Sequence, residues 1–115
     1  MPIDDPLIYL CLLTFDVFID EAHFEAEEPH DTYQRWIWMP FPPMEDMDLQ
    51  FTEPEEFMTE VDGIAWMVDE GYCLVHCTDS IADGTDGDTP QTVHARSIAQ
   101  GWTRVDPGTF LDKPS

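Results

Sequence analysis

Cys73, His76 and Cys77 stand close enough in this 115-residue chain to suggest a metal site. Two thiolates and an imidazole are transition-metal ligands. On a strand, however, Cys73 and Cys77 share one face and His76 leaves from the other. No second Cys/His pair stands at zinc-ribbon spacing. Core thiols are therefore the expected role, with Cys11 as a third reduced cysteine. Asp83, Asp86 and Asp88, interleaved with Gly84, Thr85 and Gly87, have the composition of a calcium loop. They do not fit the EF-hand register, because no Glu stands at its twelfth position. His23, His30, His76 and His94 are isolated in sequence, and no nucleophile elbow, phosphate-binding Gly-rich loop or zinc-protease helix motif occurs. The expectation is no enzyme, no cofactor and no metal.

The abundant chemistry is carboxylate chemistry. Twenty-five Asp and Glu face Arg35, Arg96, Arg104 and Lys113, a net charge of −21. They are clustered: Asp16, Asp20, Glu21, Glu25, Glu27, Glu28 and Asp31; then Glu45, Asp46, Asp48, Glu53, Glu55, Glu56 and Glu60; then Asp79, Asp83, Asp86 and Asp88. Carboxylates at helix and strand spacings sit several ångströms apart, which approximates the spacing of phosphates. A groove that binds nucleic acid through Lys and Arg would accept them by the same charge-assisted hydrogen bonds. For 115 residues a radius of gyration of roughly 13 Å, hence a width of about 35 Å, is expected. B-DNA of that length carries roughly 20 charges. The surplus also opposes the compact state through self-repulsion, so a use for it is expected.

These carboxylates need elements to hold them. Residues 7–19 read as a strand, apolar on both faces upstream and alternating from Phe15 to Asp20. Residues 23–28 either extend it or form a helical turn. Residues 32–39 read as its hairpin partner, with Tyr33, Arg35, Ile37 and Met39 on one face and Gln34, Trp36 and Trp38 on the other. Residues 44–50 read as an acidic, Met-bearing loop. A helix is expected over 53–70, capped by Thr52 with Glu55 completing a capping box, and carrying Phe57, Val61, Ile64, Ala65 and Val68 as an apolar stripe. On that helix Trp66 points away from the stripe, among Glu55, Thr59, Asp62 and Glu70, as an interface anchor would. Residues 72–77 read as a strand, 79–88 as a loop, 90–100 as a helix capped by Thr89 and ended by Gly101, and 102–105 as a last strand. The expected fold is one acidic α+β domain over 1–115, a mixed or antiparallel sheet of about four strands with two helices packed on it.

Composition closes off several classes. The chain is 43% hydrophobic with seven Phe, four Trp and three Tyr, too apolar for an acidic disordered tail. No apolar stretch reaches the ~20 residues that span a bilayer. Asp4 and Asp5 stand where a signal peptide carries positive charge, so a cytoplasmic setting is expected. Direct binding to nucleic acid or an anionic membrane is opposed by charge.

In size, charge and clustering the whole chain resembles the small acidic phage proteins that mimic DNA, among them many anti-CRISPR and anti-restriction inhibitors. That class shares no motif, so no residue roles carry over. The resemblance implies stoichiometric inhibition of a DNA-binding complex in a phage-infected or prophage-carrying prokaryotic host, most directly a crRNA-guided Cas effector kept from its target DNA. The partner expected is a basic DNA- or RNA-binding protein or ribonucleoprotein. The residues expected to meet it are Asp16, Asp20, Glu21, Glu25, Glu27, Glu28, Glu45, Asp46, Asp48, Glu55, Glu56, Asp62 and Trp66. One rival is an immunity protein or antitoxin for a cationic nuclease toxin. Another is adaptation to high salt, against which count the scarcity of Arg and the large outlay on Trp, Phe and Met.

Overall fold

β1 (Tyr9–Phe18) is the centre from which the molecule is built. The structure, a computed structural model, describes residues 9–114; Leu7 and Ile8 of the expected strand lie outside them. β1 has neighbours on both sides and layers on both faces, which explains its continuous apolar run. On one side β2 (Asp31–Met39) pairs antiparallel from Tyr9↔Met39 to Val17↔Asp31, the expected hairpin. The connection between them carries α1 (Glu21–Glu25), whose N-cap Asp20 accepts a 2.8 Å hydrogen bond from His23 N. On the other side β5 (Tyr72–Cys77) runs parallel to β1. After a two-residue break, β6 (Ser80–Ile81) continues along the same edge of β1.

β4 (Phe57–Met67) lies antiparallel to β5, and β3 (Asp48–Phe51) pairs with its N-terminal half. β7 (Thr103–Val105) closes the far side against β2. The result is a mixed seven-stranded sheet, order β3-β4-β5-β1-β2-β7 with β6 on β1. Among the described residues two short α-helices accompany it, α1 and α2 (Pro90–Ala99). This corrects the expectation of about four strands with two packed helices.

The largest correction is β4, which stands where a helix over 53–70 was expected. Its register slips between Val61 and Gly63, so Asp62 is an extra residue. Phe57, Thr59 and Val61 point inward before the bulge, and Ile64 and Trp66 lie on that same face after it. Two period-two runs offset by one residue imitate the i, i+4, i+7 spacing of a helix. β-branched Thr59, Val61 and Ile64 and a mid-element Gly63 favour the strand. The bulge also bends β4, so its first half and β3 fold over the sheet. There Phe57 stacks on Phe51 and tilts against Trp102. β3 begins inside the expected acidic loop at 44–50, and β6 sits inside the expected loop at 79–88.

The core lies on this front face: Cys11, Leu13, Phe15, Val17, Tyr33, Val61, Cys73, Val75 and Cys77, roofed by Val93 of α2 and by Trp102. All three cysteines are free and buried, and desolvation pushes Cys11 and Cys77 up to about 12 and Cys73 to about 11, which leaves them inert thiols. α2 begins as expected, with Thr89 and Thr92 exchanging a capping box. Gly101 follows its C-cap with a φ of +93°, which L side chains rarely adopt, and a Cβ there would press on Pro54 and Arg35 at 3.0–3.2 Å. On the back face residues 106–113 cross the sheet, held by buried Gln34, which donates to Thr109 O (3.0 Å) and accepts from Leu111 N (2.9 Å). Among the described residues no helix is long and apolar enough to cross a membrane.

Candidate functional site

The interruption between β5 and β6 makes the site. At Thr78–Asp79 the chain leaves β1, and the orphaned Asp16 N donates instead to the Asp79 carboxylate at 2.8 Å. Asp79 Oδ1 also accepts from His76 Nε2 at 2.9 Å, and Asp16 Oδ1 accepts from the Thr32 hydroxyl at 2.6 Å. Thr14↔His76 in the β1–β5 register puts His76 on the back face, opposite buried Cys73 and Cys77, as the alternation predicts. The side chains of Asp16, Phe18, Phe24, Glu25, Glu27, Pro29, His76 and Asp79 line a cleft of about 640 Å³ here.

Two stretches distant in sequence line this cleft: Asp16, Glu25 and Glu27 come from β1 and the α1 connection, and Asp79 from the β5–β6 break. Asp62 of the β4 bulge stands outside the lining, one position from Gly63, which pairs with His76. Asp79 first, then Asp16 and Asp62, hold the His76 imidazolium above its ordinary value against the opposing effect of burial. Hydrogen bonds from Thr85 hold Asp83 below the usual carboxylate range, opposed only slightly by the charge of Asp20.

Among the described residues, Asp16, His76 and Asp79 are the group of three whose ligating atoms lie within 4.8 Å of one another. They could hold a divalent cation, but their hydrogen bonds already satisfy one another and Thr32. Sequence reading passed over His76 as isolated, because its partners stand three and sixty residues away. Asp88 of the calcium-like loop is spent on Arg96 at 3.1 Å.

The other expected contact residues are placed differently. Glu21 opens α1 and Glu28 follows it, both exposed. Glu45 and Asp46 lie in the turn before β3, with Asp46 N bonded to Val61 O at 2.8 Å. Asp48 stands directly across from Glu60 in the β3–β4 ladder, two like charges side by side. Glu55 and Glu56 occupy the exposed β3–β4 turn, outside the cleft. Trp66 is on β4, not a helix; it is 51% exposed, with Tyr9 edge-on at 6.1 Å. None of the described carboxylates is buried.

Three of the four cations, by contrast, have partners within the molecule, while Arg104 on β7 is exposed. Arg35 donates to Gln100 O at 2.7 Å and lies over the Phe51 ring, Arg96 pairs with Asp88, and Lys113 donates to Glu70 O at 2.7 Å. No family model, curated protein or solved structure matches the chain.

Two predictions arise here. A histidine whose folded pKa is raised above its unfolded value near 6.5 stabilises fully below that value and ceases to as pH rises through the folded pKa. His76→Gln keeps a donor toward Asp79 but does not titrate. Wild type should therefore exceed the variant in stability by more at pH 5.5 than at pH 9 in urea unfolding; a pH-independent difference would refute the His76–Asp79 coupling. Like charges directly opposite in a ladder destabilise. Glu60→Lys should therefore raise stability, by about 0.2–1 kcal/mol.

Proposed function

We propose that the protein is a non-enzymatic inhibitor that offers its carboxylates in place of a nucleic-acid backbone. It occupies the Lys/Arg-lined DNA site of a host defence complex, with a crRNA-guided effector as the first target class. The observation that supports this most is the division of charge: carboxylates from sequence-distant segments gather around one cleft, while Arg35, Arg96 and Lys113 are paired within the molecule and only Arg104 is left exposed without such a partner among the described residues. The unrelieved Asp48–Glu60 pair points the same way, since folding alone gains nothing from it.

The dimensions refine the match to DNA. The molecule is 53 Å long and 27–29 Å across, more elongated than its length suggested. A duplex of that length carries about 31 phosphates, so a charge of −21 gives roughly two-thirds of the linear charge of DNA. Attraction to a cationic groove then speeds association at low salt and weakens as ions screen it, the Debye length shrinking from about 30 Å at 0.01 M to 8 Å at 0.15 M.

The test is target-DNA binding by purified crRNA-guided effector complexes, measured with and without the protein at 50 and 300 mM salt. Inhibition at stoichiometric protein that fades with salt is expected of the responsive complex. Inhibition of a cationic nuclease toxin alone would move the protein to the immunity class, and no effect on either would end the proposal.

A further inference from the structure

Pairing of β3 along β4 stops at Val61, which bonds Met47 O and Asp46 N, each at 2.8 Å. Beyond the bulge, residues 63–67 pair with β5 on one side. Among the described residues no strand meets them on the other. The main-chain groups on that side form an open ladder about five residues, or roughly 16 Å, long.

An open edge is ordinarily blunted by charges, Pro or a bulge within it, because it will otherwise pair with another chain. This one carries Gly63, Ile64, Ala65, Trp66, Met67 and Val68, an uncharged run in a chain of net charge −21. Trp66 is 51% and Val68 83% exposed. The carboxylates stand only at the two ends: Asp62 at the bulge, and Asp69 and Glu70 in the hairpin turn, all exposed.

We propose that this edge receives an extended segment of a basic partner as an added β-strand. Main-chain hydrogen bonds join the segment to residues 63–67, its apolar side chains cover Trp66, and Lys or Arg at its ends meet Asp62, Asp69 and Glu70. The inference rests on the proposed function in one respect, that the partner is cationic. Charge selects that occupant over a second copy of this chain. Two edges of this kind side by side would bring their terminal carboxylates together between molecules that already repel.

The probe is a labelled ten-residue peptide of alternating Val and Thr with Lys-Arg at each end, and its counterpart ending in Glu-Glu. Fluorescence anisotropy reads affinity, and hydrogen exchange reads the amides of residues 63–68. The basic-ended peptide should bind at least tenfold more tightly than the acidic one and slow exchange at 63–68. Trp66→Ala and Ala65→Glu should each weaken it at least tenfold with melting temperature little changed. Ala65→Glu separates pairing from charge, because charge alone would make it bind better. Binding unaffected by both variants, or protection confined to the His76 cleft, overturns the inference. So does a concentration-dependent dimer in sedimentation that Ala65→Glu abolishes, since the second copy would then own the edge. If the edge variants spare binding while amide replacement of Glu25, Glu27, Asp62 and Asp83 removes it, the strand-addition inference fails and the anionic site stands. If the peptide binds at the edge but no guided complex is inhibited, the edge stands and the inhibitor reading fails.

Discussion

Replacing Glu25, Glu27, Asp62 and Asp83 together by their amides should weaken binding to a cationic DNA site by roughly 30- to 150-fold at 100 mM salt. Exposed ion pairs are worth about 0.2–1 kcal/mol each; at the middle of that range four of them amount to roughly 2–3 kcal/mol, at 1.4 kcal/mol per tenfold. The four come from α1 and its exit, the β4 bulge and the loop after β6: Glu25 and Glu27 line the cleft, Asp62 acts on His76 from the bulge, and Asp83 is exposed beyond β6. The same change should leave the melting temperature level or higher, because it relieves repulsion in a molecule of charge −21. Those opposite signs separate a functional anionic surface from a merely solvating one: a solvating surface would gain stability and lose no affinity. Calorimetric titration at two salt concentrations, with a thermal melt of the same samples, reads both.

Trp102→Ala should be the most damaging single change in the chain, about 3–5 kcal/mol. Trp102 is 3% exposed and stands edge-on to Phe15 at 4.7 Å. It also meets Phe57, so one ring joins the end of α2, the central strand and the folded-over β3–β4 hairpin. With ordinary domain stability near 5–15 kcal/mol, the variant should be partly unfolded at 37 °C. Trp66→Ala should cost a small fraction of that, since half of the indole is already in water. Urea titrations of the two variants should show midpoints far apart. Equal midpoints would mean that the hairpin does not pack on Trp102 as described.

Much of the sheet was legible because its strands obey one period from end to end. β2 alternates without interruption and β5 is bounded by Gly71 and Thr78, so both stood where the pattern put them. α2 carried its own punctuation, Thr89 with Pro90 at the start and Gly101 at the end. β4 was not legible because one inserted residue, Asp62, reset its phase, and the composite mimicked a helix with a capping signal before it. β3 and β6 were missed because four and two residues hold too little pattern. The clustering of acids was visible in sequence. Their convergence was not, because it depends on a parallel β1–β5 pairing that brings together residues some sixty positions apart.

The most direct measurement is an order-of-addition competition between this protein and labelled target DNA on one responsive guided complex at 100 mM salt. If the carboxylates stand in for phosphates, prebound DNA should exclude the protein and prebound protein should exclude DNA, with one partner per complex at saturation. A ternary assembly holding both at full occupancy would show that they do not compete for one cationic surface.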